Sequence, residues 1–358
     1  MHRLIIHSES SLGWGGQEIR VLHELVGMQS LGFQTALIAS PKSTILQRAK
    51  DSGITVFPVN LSSKFRPLAW IQSYLILKKL APAVVNTHSS EDSWIVGAVS
   101  RLLGVPLVIR TRHVSTPIGS LFSYRHFPHL IFTTSQSITK SFIAAGLEAD
   151  NVITMPTGID TQRYAFSDQA RRAIRVELGL SDSDILIGNV CVLRSWKGLD
   201  FFLDTAPLLP EQFRFILIGG GPQRERLEHK AKSLNLGKRM IFAGHQEQVE
   251  RYFSALDVLF YTSYASEGVP QSLLQGVCSG LPVVAVKLAS IEETLSGIAK
   301  VKWVEYGDTE TAAKALHDIH IGGPEQRQSP PQAWLEKFSI AAMLKKISSL
   351  YHGRISGL

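Results

Sequence analysis

The segment Glu267-Gly-Val-Pro-Gln-Ser-Leu-Leu-Gln275-Gly-Val-Cys-Ser-Gly-Leu-Pro282 carries the densest chemistry in the chain. It reads as a loop with a carboxylate and glycine, then a helix, a small-residue turn and a buried strand, Pro282-Val-Val-Ala285. A helix N-terminus presents unbonded N–H groups and a partial positive charge, which suits a phosphate or diphosphate. The carboxylate of Glu267 can only accept hydrogen bonds, as from sugar hydroxyls. An anion cradle beside a hydroxyl acceptor points to a nucleotide-sugar. Gln275, eight residues on, is expected on the same side of that helix, two turns along.

Arg194 and Lys197, in Arg194-Ser-Trp-Lys197-Gly198, follow an apolar run and open a helical one. Two cations three residues apart, beside helix N–H groups, suit a diphosphate whose charge grows as its bond to sugar breaks. Gly15 and Gly16 also join a strand to a helix, where a bare backbone can approach phosphate or sugar closely. Glu18 stands in the first turn, where an acid also suits the helix dipole. Gly219 and Gly220 begin a strand-to-helix turn. Pro222 follows them, so the G-x-G-x-x-G dinucleotide spacing fails. His88 follows the apolar run Ala83–Asn86, and Arg112 and His113 follow Leu107–Arg110.

The elements that must hold these groups read as alternating strands and helices. Strands are expected at Leu4–Ile6, Thr35–Ala39, Thr55–Val59, Ala83–Asn86, Leu107–Arg110 and Leu130–Thr133. A second series follows at Ile185–Val190, Arg214–Ile218, Met240–Phe242, Val258–Tyr261, Val283–Val286 and Lys300–Trp303. Helices are expected between them, including Gln17–Ser30, Trp70–Leu80, Ser93–Leu103, Gly198–Leu208, Gln223–Leu234 and Gln246–Ala255. This is a doubly wound α/β pattern written twice, with the turn-rich Met155–Tyr164 as hinge. Residues 322–331 read as a loop, and Trp334–Tyr351 as one amphipathic helix. In such domains ligands bind at the C-terminal ends of the strands, here lining a cleft between the two.

Composition bounds the partners. The 358 residues exceed one ordinary core and suit two domains. The chain has no stretch near the roughly 20 apolar residues of a membrane span. Its first apolar run is too short for a signal peptide, and a cytoplasmic location is expected. Cys191 and Cys278, in apolar or small-residue surroundings, read as buried thiols rather than a disulfide or metal site. The net charge is +7. From Leu25 to Leu147, twelve Lys and Arg face only three acids, Asp51, Glu91 and Asp92. That half therefore seeks an anionic partner. Lys64-Phe-Arg-Pro-Leu-Ala-Trp70 and Phe122-Ser-Tyr-Arg-His-Phe127 mix bases with aromatics, as membrane-surface segments do. No nucleic-acid-binding motif accompanies the charge, so a nucleic acid is not expected.

These motifs, with Pro156-Thr-Gly-Ile-Asp160 at the hinge, Gly219-Gly-Gly-Pro222 and Phe242-Ala-Gly244, fall in an order and spacing that resembles the retaining, GT-B-fold glycosyltransferases of family 4. The resemblance runs nearly end to end. It implies two Rossmann-like domains, 1–163 for the acceptor and 164–330 for the nucleotide-sugar, with 331–358 as a helix returning to the first. It implies catalytic roles for His113, Arg194, Lys197 and Glu267. Gly15, Gly16, Gly219, Gly220, His245, Gly268, Val269 and Gln275 would bind the donor, and Glu18, His88 and Arg112 the acceptor. The donor is taken as a UDP-sugar, the acceptor as a saccharide or lipid-linked glycan of the cell envelope, at the inner face of an anionic membrane. No cofactor and no metal are expected. Double displacement would need a nucleophile near the anomeric carbon. No convincing one is visible, and the resemblance implies front-face substitution. A nucleotide-sugar epimerase of the same fold, or a catalytically silent nucleotide-binding partner, stay open as alternatives. The resemblance implies a second glutamate where this chain has Gln275, so the ribose contact is expected without its charge-assisted part.

Overall fold

A computed structural model describes residues 4–265, 267–319 and 327–355. The chain divides into two compact units, Met1–Gly158 with Lys337–Leu358, and Ile159–Glu336.

The first unit is built on a seven-stranded parallel sheet. Its strands are β1 (Leu4–Glu9), β2 (Gln34–Ala39), β3 (Thr55–Pro58), β4 (Val84–Thr87), β5 (Leu107–Arg112), β6 (Leu130–Thr133) and β7 (Val152–Thr154). They lie in the order β3-β2-β1-β4-β5-β6-β7. Parallel strands covered by helices on both faces must be apolar throughout, and Ile5, Ile6, Leu37, Val84, Val85 and Ile109 are buried. The chain reverses its direction of winding between β1 and β4, so their C-terminal tips flank a crevice.

The second unit repeats the plan with β8 (Ile185–Val190), β9 (Phe213–Ile218), β10 (Met240–Gly244), β11 (Val258–Tyr261), β12 (Val283–Val286) and β13 (Val301–Val304). Their order is β10-β9-β8-β11-β12-β13, all parallel, with the reversal between β8 and β11. The doubly wound reading therefore holds in both halves.

Some expectations are corrected. β7 is an extra strand, only three residues long and too short to stand out as a pattern. The expected helix Ser93–Leu103 begins as a wide π turn, Ser93–Gly97, and becomes α-helical only at Ala98–Leu102. There Ser93 Oγ is engaged with Ser89 O and Thr87 Oγ1. The helix expected over Trp334–Tyr351 is two helices, Gln332–Phe338 and Ile340–Ile355. Ser339 breaks it, because its hydroxyl accepts the Ala342 N–H and so starts the second helix afresh. Trp334, in the second unit, donates its indole N–H to Thr294 O. The helix Ile340–Ile355 belongs to the first unit, where Leu344 fills the space beside Gly27. Part of the loop read at 322–331, residues 322–326, and the first three residues lie outside the described residues.

Candidate active site

In the second unit the chemistry collects at the tips of β8 and β11. Asn189, near the end of β8, donates to Phe260 O at 2.9 Å and to Thr262 Oγ1 at 3.0 Å. Thr262 Oγ1 in turn donates to Lys197 O at 2.8 Å. Gly198 has φ +65°, and a Cβ there would stand 2.1 Å from Thr262 O, so only glycine permits this turn. The clip holds Lys197 where its Nζ meets Glu267 Oε1 at 2.6 Å. Arg194 is exposed, its guanidinium 5.2 Å from the Trp196 ring centre, and it donates to no described residue. Arg194, its donor fork unspent, opens the turn that carries Lys197 to Glu267. Such a set can hold an anion and a hydroxyl together.

Glu267 is buried in the loop before Pro270, and the helix begins only at Gln271. The expected two helical turns between Glu267 and Gln275 are therefore not helix throughout, and the two side chains meet different neighbours. The amide of Gln275, also buried, donates to Tyr164 Oη at 3.0 Å. Gly268 and Val269 stand in the same loop and are buried. Beneath Glu267, burial and then the Glu267 charge push the Tyr261 hydroxyl well above its ordinary value.

Gly219 has φ +135°, and a Cβ there would lie 2.0 Å from Cys191 O, while Gly220 O accepts the Leu193 N–H at 2.9 Å. The glycines thus let the loop after β9 lie flat against the loop after β8. His245 follows β10, exposed, with Nε2 at 3.2 Å from Glu247. Both thiols are unpaired, and burial pushes each up to about 12.

In the first unit, the tips of β1, β4 and β5 surround a cavity of about 390 Å³ whose lining includes Gln17, His88, Ser89, Arg110, Arg112 and His113. His7 Nδ1 meets His88 Nε2 at 2.8 Å, and His88 Nδ1 meets His113 Nε2 at 3.0 Å. Burial, followed by the neighbouring cations and rings, holds His88 and His113 well below the usual imidazole value, so both are neutral at pH 7. Asp92 accepts from Ser8 Oγ, the His88 N–H and the Ser89 N–H. Burial and then the nearby Glu9 carboxylate still push it up to about 8. Glu9 accepts from the Ser11 N–H and Gln17 Nε2, and burial raises it also.

Two acceptor candidates are spent locally. Glu18 Oε2 accepts the Gly15 N–H at 2.8 Å, which makes it a cap for the helix Gly16–Ser30. Arg112 donates to Val114 O, Thr116 O and Oγ1 and Tyr124 Oη, which ties down the loop after β5. Gly15 and Gly16 open that same capped helix.

Sequence reading missed His7, Glu9, Arg110 and Asp92 in the first unit, and Asn189, Thr262 and Tyr164 in the second. A signal existed for His7 and Glu9. They prolong an apolar strand whose polar end must then be a strand tip, where sites lie.

Residues 14–163 match the family Glycosyltransferase Family 4, and residues 184–320 match Glycosyl transferases group 1. The chain is 24% identical to the glycosyltransferase EpsF of Bacillus subtilis, over 78% of each chain. It is 25% identical to the UDP-Gal:alpha-D-GlcNAc-diphosphoundecaprenol alpha-1,3-galactosyltransferase of Escherichia coli, over 60% of each. Its fold superposes on HepE of Anabaena in complex with UDP-glucose with a TM-score of 0.85, at 19% identity, covering 99% of this chain and 100% of HepE.

Proposed function

This chain belongs to the family 4 glycosyltransferases of GT-B fold, and from that premise we propose that it moves a sugar from a UDP-sugar to a lipid-linked or lipopolysaccharide-type saccharide, with retention of configuration and without a metal. The observation that carries the reading is the Lys197–Glu267 pair beside the unspent Arg194. Arg194 and Lys197 take the diphosphate and offset its growing negative charge as the glycosidic bond breaks. Fixed cations can do in this way what a divalent ion does elsewhere. Lys197 fixes one oxygen of Glu267, and the other accepts from a sugar hydroxyl. Gly268 and Val269 offer backbone N–H groups to the phosphates, Gly219 and Gly220 approach the nucleotide with bare backbone, and Gln275 reaches its ribose. His113 meets the transferred sugar near its reacting carbon, and His88 supports it from behind, with both ring nitrogens engaged by His7 and His113. The leaving phosphate takes the acceptor proton in a front-face substitution.

UDP as donor nucleotide is supported by HepE, which was solved with UDP-glucose, and by the Escherichia coli relative, which is named for UDP-Gal. A lipid-diphosphate acceptor is supported by that relative's name and by the basic first unit. Arg194→Ala and Lys197→Ala are each expected to lower turnover by on the order of 100-fold or more, measured with labelled UDP-sugars and membrane extract. Normal turnover in both variants rejects the assignment. Sugar conversion without acceptor would instead indicate an epimerase, and binding without turnover a silent subunit.

A further inference from the structure

Glu24, from the middle of the helix Gly16–Ser30, lies wholly buried and does not line the cavity. Its Oε2 is 3.8 Å from Arg20 Nε, and its Oε1 is 3.6 Å from His7 Nε2. The Tyr351 hydroxyl is buried beside it. From Glu24 three imidazoles run in series, His7, His88 and His113, the last lining the cavity. Ring centres are 4.9 Å and 5.2 Å apart and exceed the nitrogen–nitrogen distances by about two ring radii, so the rings meet edge to edge. Among the described residues, Nδ1 of His113 has no partner.

A neutral imidazole has one N–H and one lone pair, and three linked rings must therefore point their N–H groups the same way. In one direction His7 would turn a lone pair toward Glu24 and His113 would hold its proton on Nδ1. In the other, His113 Nε2–H donates to His88, His88 Nε2–H donates to His7, and His7 Nε2–H points at Glu24. Arg20 is a buried guanidinium that needs a counter-charge, and Glu24 supplies it as a carboxylate. A carboxylate attracts an N–H and repels a lone pair, and the low dielectric of the interior amplifies the difference.

We propose that Glu24 and His7 are positioning residues that fix His113 in its Nε2–H tautomer, so that His113 presents Nδ1 as a hydrogen-bond acceptor to the hydroxyls of a bound sugar. The part that concerns the sugar rests on the function proposed above; the tautomer does not. All three rings are held neutral by burial, as a device built on tautomers requires. Arg20 and Arg112 are the cations that act on His113. The device needs no proton transfer, because each proton stays on its nitrogen.

Long-range ¹H–¹⁵N correlation spectra of histidine-labelled protein read the tautomer directly, with His113 assigned by the loss of its signals in His113→Gln. The wild type is expected to show His113 protonated on Nε2 alone. In His7→Phe the buried His88 Nε2–H would lose its acceptor, so the pair is expected to reverse and His113 to become largely Nδ1–H. Glu24→Gln removes the charge that sets the direction and is expected to move at least half of His113 into that form; melting curves identify which variant folds. An Nδ1–H His113 in the wild type overturns the proposal, and so does an unchanged tautomer in either folded variant. In sugar transfer, His7→Phe is expected to lower kcat about 10-fold with the donor KM little changed. A tautomer that reverses without any loss of transfer supports the relay and removes His113 from the sugar.

Discussion

Gln275 is the residue proposed to reach the ribose, and its geometry says what it can offer there. Its amide N–H is given to Tyr164 Oη, so the tyrosine keeps its own proton available to donate. The pair still offers a donor and an acceptor to a ribose, but without a charge. Hydrogen bonds to a charged group exceed neutral ones by about 1 kcal/mol, or roughly fivefold in Kd. Gln275→Glu is therefore expected to tighten UDP binding roughly fivefold by calorimetry. Unchanged affinity would remove Gln275 from the ribose. Asp92 is the second residue whose environment makes a measurable claim. Its folded value, about 8, lies above the ordinary 3.8. A raised acid binds more protons folded than unfolded, so its contribution is complete below about 3.8 and is lost as the pH rises through about 8. In Asp92→Asn that titration is gone while the neighbouring histidines remain. The melting temperature of the variant is expected to fall less than that of the wild type between pH 6 and pH 9. Parallel curves for the two proteins would show that Asp92 ionises as an ordinary surface carboxylate does.

At the scale of elements, the turn Ser195–Gly198 is where fold and site are one object. Gly198 must be left-handed for the chain to pass under Thr262, and that passage seats Lys197 against Glu267. Gly198→Ala combines backbone strain with a collision against a carbonyl oxygen, and a loss of about 3 kcal/mol is expected in urea unfolding. Turnover should fall with it, because Lys197 moves. A variant with wild-type stability and rate would show that the clip does not position the lysine. The same elements show what could be read in advance. Buried parallel strands are continuous apolar runs bounded by glycine and polar residues, so twelve of them were legible, and with them the loops that hold Arg194, Lys197 and Glu267. The three-residue β7 was not, nor was the break at Ser339, which depends on a cap rather than on periodicity. Least legible were the partners. Tyr164 meets Gln275 from 111 residues away and His7 meets His88 from 81, and local sequence carries no mark of such pairings.

The whole first unit makes the last claim, through the helix Pro67–Leu80. Its inner face buries Ala69, Ser73 and Leu77, yet Leu68, Ile71 and Leu75 on the other side are 61%, 56% and 58% exposed. A helix apolar on both sides has only one side satisfied by its own core. Phe65, 82% exposed, extends the outer stripe, and Lys64, Arg66, Lys78 and Lys79 flank it. Lys64 lies over the Trp94 ring, and Trp94 stacks on Phe122, so the two aromatic-basic segments form a single patch although 58 positions separate Lys64 from Phe122. Apolar insertion and attraction to anionic headgroups are separable forces. Each inserted leucine contributes about 1.5–3 kcal/mol, and each base near the surface about 1 kcal/mol that salt screens. The membrane contact expected from the sequence therefore predicts co-sedimentation with vesicles rich in anionic lipid at low salt, weaker but not abolished when salt is raised. Leu68→Asp with Leu75→Asp should remove what salt leaves, while turnover on a short water-soluble acceptor stays near that of the wild type. Equal binding to neutral and anionic vesicles would break the electrostatic half, and full binding by the double variant the insertion half. Loss of both would leave the patch to a different partner and the acceptor to be sought in solution.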